Sequence, residues 1–344
     1  MYTKHGDKMS SSGIDISIII ISYNERPYLK AAVNSCLTQR TSYKYEIIIG
    51  DDGSNDGSLE TIREIVSENN DIVSYFVMDR DGIEMKNLIP SLRVSRIIKE
   101  AYKRASGKYL CILSGDDLIV GADRIQKQLD FLKNNPDYSS CFSDFYYMYE
   151  NGDKRYVKTT INLSNKVLWR CFYYHISCFV FDRDCMNKLT DRFCDDAGLV
   201  YSILCSGRSK HLRYIGFGYR QRDKSIMHEA DKIESSIINV LVCQDCLNAG
   251  YYSFETIARF SKDILLINKN RESVVNNLKY AKYFRSGEKY GNNILGLMVN
   301  YGKTTEDLKY IKNIVRNASI YRLINCVTKG YLLIIDTICS MVIR

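Results

Sequence analysis

The chain has 344 residues, 45% of them apolar, and only three prolines, so it can bury a substantial core and has little room for long disordered linkers. Its net charge of +8 lies entirely in residues 251–344, which hold 15 Lys or Arg against 7 Asp or Glu. With no Arg-rich stripe among aromatics, that surplus argues against nucleic-acid binding and fits an anionic lipid surface better.

In chain order, residues 16–21 form a short apolar, β-branched run, the pattern of a strand buried on both faces. Pro27 then stands where a first helical turn begins, and Leu29, Ala32, Val33, Cys36 and Leu37 repeat at helical spacing. Residues 45–49 give a second strand, 59–66 a helix, 72–77 a third strand, 92–105 a helix and 109–113 a fourth strand. Residues 124–132 are again helical and 140–145 extended. Asn151-Gly152 marks a hairpin turn, and residues 177–181 read as a further strand, with His175 before it in a structural rather than catalytic place. This alternation predicts an α/β fold with a mainly parallel sheet and helices on both faces. Beyond about residue 225 the pattern turns helical, so the expected division is 1–225 and 226–344.

The last stretch, 320–343, is apolar but interrupted by Arg322, Lys329 and Asp336, too broken to span a bilayer. A helix on a membrane surface and a helix packed on the first domain both fit it. The start is polar as far as Ile14, without the look of a signal peptide, and the 12 cysteines lie scattered in apolar runs. Cys243 and Cys246 have zinc-type spacing but no second pair nearby. A reducing cytoplasm is the expected compartment.

Two acidic loops follow two strands: residues 50–57 (GDDGSNDG) and 114–117 (SGDD). In an open α/β sheet both fall at the carboxyl edge, where ligands bind. Paired carboxylates there need a compensating positive charge, which a divalent cation holding a diphosphate would provide. A calcium loop beginning at Asp52 fails, because its twelfth position is Arg63. A dinucleotide fold fails too, because the first strand ends in Ser22-Tyr23-Asn24-Glu25 with no glycine.

Residues 18–25 (IIIISYNE), 49–57 (IGDDGSNDG) and 107–118 (GKYLCILSGDDL), in this order, resemble the inverting glycosyltransferases of family 2, of GT-A fold, in the branch that builds bacterial cell-surface polysaccharides such as capsule and O-antigen. The resemblance covers about residues 14–222. It implies that Ser22, Tyr23, Asn24 and Glu25 line the nucleotide pocket and that Asp52 reads the nucleobase, commonly uracil. It implies that Asp116 touches the ribose and that Asp116 and Asp117 ligate Mn²⁺ or Mg²⁺; Ser114 stands where the family has an acidic residue. Asp196, in the sequence CDDAGL, matches the base that takes the acceptor proton, although Asp195 and Asp196 could also cap the helix that follows.

Arg220 and Arg222 match a closing segment near the diphosphate, with His228 close behind, and Lys86, Arg93, Arg96 and Lys99 are candidate diphosphate contacts among which sequence does not choose. The expected partners are a nucleotide-sugar donor and a glycan or lipid-linked acceptor, with the enzyme cytoplasmic or peripheral on the inner membrane face. The rival readings are a sugar nucleotidyltransferase, which wants a glycine-rich loop after the first strand, and a silent glycan-binding protein of the same fold.

Overall fold

A computed structural model describes residues 13–82, 90–158, 164–171, 174–188, 196–222 and 232–251, with scattered positions as far as Val274. The chain divides into two compact units, one of residues 1–165 and 172–228, the other of 166–171 and 229–344.

The first unit is built on a mixed sheet. Strands β1 (Ile16–Ser22), β2 (Tyr45–Asp51), β3 (Val73–Val77) and β4 (Tyr109–Ser114) run parallel in the order β3-β2-β1-β4. Strand β1 lies between two neighbours, and Ile16, Ile18, Ile19 and Ile20 are fully buried. Removing such side chains from water stabilises the fold by about 1.5–3 kcal/mol each, which explains the run of isoleucines. Helices α1 (Arg26–Leu37), α2 (Ser58–Glu68) and α3 (Pro90–Arg104) connect these strands, α1 with Pro27 in its first turn as its spacing predicts.

The sheet continues beyond β4 through β8 (Phe179–Asp182), β6 (Tyr138–Met148), β9 (Arg208–Arg220) and the two-residue β5 (Leu118–Ile119), while β7 (Lys154–Val157) pairs with β6. Here the pairing alternates: β4 with β8, β8 with β6 and β5 with β9 are antiparallel, and β6 with β9 is parallel. The β6–β7 hairpin turns at Asn151-Gly152, where Gly152 adopts φ +87°. Helices α4 (Arg124–Asn134) and α6 (Asp196–Ser206) complete this unit's helices; α5 (Asn165–Cys171), apart from Asn165, falls in the second unit.

The strand expected at 177–181 begins only at Phe179. Ile176–Cys178 form a 3-10 turn instead, because the His175 side chain accepts the Ser177 N–H and bends the backbone. An apolar run does not reveal such a cap.

Arg124 is fully buried, and among the described residues it has no carboxylate partner. Its guanidinium donates to Gln128 Oε1 (2.8 Å), Gly216 O (2.9 Å) and Ser177 O (2.6 Å), tying α4 to β9 and to the turn after His175.

In the second unit, α7 (Lys232–Asn248) carries Cys243 and Cys246 as buried free thiols. Ser236 and Asn239 donate to Asp263, and Trp169 donates to Thr256. Among the described residues no helix is long and apolar enough to cross a membrane. The basic, apolar segment 304–344 and His228 lie outside the described residues.

Candidate active site

The carboxyl ends of β1, β2 and β4 meet at one edge, as a parallel sheet requires. The loop after β1 and the loop after β2 are laced together. Asn24 N–H donates to Ser54 Oγ (2.9 Å), Asn55 N–H to Asn24 Oδ1 (3.0 Å), and Glu25 N–H to Ser58 Oγ (3.1 Å). Asn24 adopts φ +53°, the left-handed region that Asn tolerates better than most residues. Asp51 accepts the Ser54 N–H and hydroxyl, each at 2.7 Å, and Asp56 accepts the N–H groups of Arg26 and Ser58. These two acids shape the loop, while Asp52 pairs outside it.

Asp52 is buried, and its Oδ2 lies 2.5 Å from Arg80 Nη1 and 3.1 Å from Arg93 Nε. Burial raises its pKa, against the pull of both arginines. Its other oxygen, Oδ1, has no hydrogen-bond partner among the described residues. Arg80 also lies over the Tyr23 ring at 3.7 Å. Of the four cations offered after β3, Arg93 stands beside Asp52; on α3, Arg96 is exposed and Lys99 half-buried, and Lys86 lies outside the described residues. Arg80 was not legible, because it sits in an irregular loop with no motif around it.

The second carboxylate group lies where β1 and β4 end. Asp117 is fully buried; its Oδ1 accepts the Arg220 N–H (2.8 Å), and its Oδ2 has no partner among the described residues. Asp116 Oδ2 pairs with Arg222 (2.8 Å), which also reaches Glu25 Oε1 at 3.5 Å. Glu25 is buried, and its unpartnered Oε2 packs so closely on Gly115 that a Cβ there would collide with it. Burial, and then the charge of Asp116, push both Glu25 and Asp117 well above the usual carboxylate range. Arg220 donates through Nε to Asp116 O (2.8 Å), and Arg220 and Arg222 both lie over Tyr28, a contact the sequence did not announce. Ser22 is buried at the end of β1, and Ser114 ends β4, its carbonyl accepting the Asp117 N–H.

The three carboxylates Glu25, Asp116 and Asp117 outnumber the two guanidinium groups, Arg220 and Arg222, that face them. Two buried carboxylate oxygens without partners, on groups already driven toward protonation, are the setting that a hard cation relieves. Among the described residues no group of three or more His, Cys, Asp or Glu could hold a metal by itself. A cation held by Asp116 and Asp117 would need further oxygen ligands, of the kind a diphosphate supplies.

Asp196 begins α6 with its side chain 48% exposed, and its Oδ2 lies 3.4 Å from His175 Nε2. Its pKa is lowered: burial pushes it up, and His175, by its charge when protonated and by its hydrogen bond, outweighs that. Its neighbour Asp195 lies outside the described residues. His175, read from sequence as structural, thus stands beside the expected base; a lone histidine ahead of an apolar run gives no sign of it.

A parallel half-sheet with acidic loops at its carboxyl edge is the framework of a GT-A glycosyltransferase. The model of the family described as Glycosyl transferase family 2 matches residues 17–190, and the chain belongs to that family. A glycosyltransferase of Haemophilus influenzae is 34% identical over 121 residues, covering 35% of this chain and 43% of its own length. TuaG of Bacillus subtilis, named for teichuronic acid biosynthesis, is 29% identical over 117 residues, 34% of this chain and 41% of its own. The chain spans less than half the length of these curated relatives. Among solved structures, Staphylococcus aureus TarS 1–349 in complex with UDP-GlcNAc aligns with a TM-score of 0.54 at 13% identity, over 83% of this chain and 80% of that one. The mannosyltransferase PcManGT of Pyrobaculum calidifontis, in complex with GDP-Man and Mn²⁺, aligns at 0.50 and 13% identity, over 90% and 86%. At such identity these two speak for the fold alone.

Proposed function

We propose that the chain is an inverting, metal-assisted glycosyltransferase that moves a sugar from a nucleoside diphosphate, UDP in the first instance, to a hydroxyl of a glycan or lipid-linked glycan. The observation that carries this reading is the buried Asp117, with an unpartnered oxygen, beside Asp116 at the carboxyl edge of β4. Asp52 Oδ1 is free to accept the imide N–H of a uracil base, and the Tyr23–Asn24–Glu25 segment lines the same edge. Asp116 and Asp117 would hold Mn²⁺ or Mg²⁺, which when bound compensates the charge of the departing diphosphate. Arg222 swings from Asp116 toward the phosphates, with Arg220 bracing the turn behind it. Asp196, half exposed, takes the proton of the acceptor hydroxyl as the new glycosidic bond forms on the face opposite the leaving group.

Bound donors in the two structural neighbours, UDP-GlcNAc and GDP-Man, support a nucleotide-sugar substrate, and TuaG supports a cell-surface polysaccharide product. A thermal-shift screen of UDP, GDP, CDP and dTDP, with Mn²⁺ and with chelator, tests the reading. UDP with Mn²⁺ should raise the melting temperature most; at 100 times the dissociation constant the stabilisation is about 2.7 kcal/mol. No shift with any of the four at millimolar nucleotide and Mn²⁺ would overturn the donor assignment.

The division into a catalytic domain, 1–225, and a basic C-terminal region, 226–344, belongs to the same proposal. The charge surplus of 251–344, with Lys309, Lys312, Arg316, Arg322 and Lys329 set among apolar residues, suits peripheral attachment to the cytoplasmic membrane face. Binding to anionic vesicles in flotation should weaken with salt and vanish on deletion of 304–344. Equal recovery in the soluble fraction with and without vesicles at low salt argues against attachment.

A further inference from the structure

The most constrained side chain near Asp196 is one that no reaction step above employs. His175 Nδ1 accepts the Ser177 N–H at 3.2 Å and lies 3.1 Å from Ser177 Oγ. A ring nitrogen that accepts from a backbone N–H carries no proton, so the proton of the neutral imidazole sits on Nε2. That nitrogen faces Asp196 Oδ2 at 3.4 Å. The ring is stacked on Phe217 (centroids 5.2 Å apart, 14° between planes) and on Tyr219 (4.8 Å, 28°), neighbours two apart on one face of β9. The turn that carries it is fixed by Cys178 N–H on His175 O (3.0 Å) and by buried Arg124 on Ser177 O (2.6 Å). Asp196 itself is half exposed at the first residue of α6, and the polar contact its side chain makes among the described residues is the one to His175.

We propose that His175 is a positioning residue for the base: its Nε2–H holds Asp196 Oδ2, so that Oδ1 is presented to the acceptor hydroxyl in one orientation. This rests on the reading of Asp196 as the base. An exposed Asp at a helix start has two free side-chain torsions, and in the free state would spread over several rotamers or fold back to cap its own helix. A donor on a rigid, stacked ring selects one of them. The same contact favours the ionised carboxylate, the form a base requires. Turnover moves one proton, from the acceptor oxygen to Asp196 Oδ1, while the His175 proton stays on Nε2.

The test uses the full chain, UDP-GlcNAc and Mn²⁺, with UDP release as the readout, and the variants His175→Ala, His175→Gln, Asp196→Asn and the His175→Ala/Asp196→Asn double. His175→Ala should lower kcat by roughly 10- to 100-fold, the scale on which a misplaced catalytic group acts, with KM for UDP-GlcNAc within about twofold if donor contacts are untouched. His175→Gln, whose amide N–H can replace the ring donor, should recover most of that loss. In the Asp196→Asn background the His175 change should add nothing. An equal further loss there, or wild-type kcat in His175→Ala, overturns the role given to His175. Wild-type turnover by Asp196→Asn overturns the reading of Asp196 instead. A donor-independent measurement runs beside these: imidazole ¹⁵N spectra should show His175 as the Nε2–H tautomer with shifts that change in Asp196→Asn. An Nδ1–H tautomer, or shifts insensitive to Asp196→Asn, refutes the pairing whether or not UDP-GlcNAc is turned over.

Discussion

Asp117→Asn should leave the protein folded, with a melting temperature equal to or above that of the wild type, and reduce nucleotide-sugar turnover by on the order of 10³-fold. The two halves of this expectation come from one fact. Asp117 is fully buried, and burial followed by the charge of Asp116 holds its pKa well above the ordinary range. For an acid whose folded-state pKa lies above the unfolded one, folding is most favourable at low pH, and stability is lost as pH rises from the unfolded pKa through the folded one. At neutral pH the ionised carboxylate therefore weighs against the folded state, and Asn removes that burden. Asn also keeps an oxygen for the Arg220 N–H that now bonds Oδ1 at 2.8 Å. What Asn cannot do is offer an anionic ligand to Mn²⁺ or Mg²⁺. The same linkage predicts proton release when Mn²⁺ and UDP bind together, visible as a calorimetric heat that depends on the buffer's ionisation enthalpy. A destabilised but fully active Asp117→Asn would contradict both the electrostatic reading and the metal assignment.

How much of this was legible beforehand depends on whether a residue's role is local. The first four strands and their helices declare themselves through periodicity, because each strand is buried on both faces and each helix on one. Asp52, Asp116 and Asp117 could be placed at one edge because parallel strands put their following loops together. The second half of the sheet is harder. Strand β6 pairs with β7, β8 and β9 in both senses, and nothing in an apolar run specifies the partner or its direction. The contacts that shape the site cross long stretches of sequence. Arg80 meets Asp52 from 28 residues away and Arg220 meets Asp117 from 103. His175 reads as structural because it stands just before the apolar run 177–181, while its partner Asp196 lies on another element. Arg124 carries a similar lesson: its charge suggests a solvated first turn of α4, yet backbone carbonyls from two other segments bury it.

Asp196→Asn should lower kcat by on the order of 10²-fold or more and leave KM for the donor nearly unchanged, which is the pattern of an interaction made only in the transition state. The substitution keeps the size of the side chain and one oxygen, which can take the place of Oδ2 opposite His175, so packing at the start of α6 is preserved. It removes the one property at issue, the capacity to accept a proton. His175 can still donate through Nε2–H to the amide oxygen, so in this variant the amide group is held in place yet cannot act as the base. Stability should change little, since the side chain is 48% exposed. The wild-type rate should fall in acid as Asp196 is protonated, and because His175 lowers the Asp196 pKa, that limb should lie below the ordinary carboxylate range. In His175→Ala the limb should move to higher pH, and in Asp196→Asn the remaining activity should lose it. A pH–rate profile of kcat/KM, which reports the free enzyme, measures all of this together for the three proteins. If Asp195→Asn proves the damaging change and Asp196→Asn harmless, the base lies one residue earlier, and the pairing with His175 serves α6 rather than the reaction.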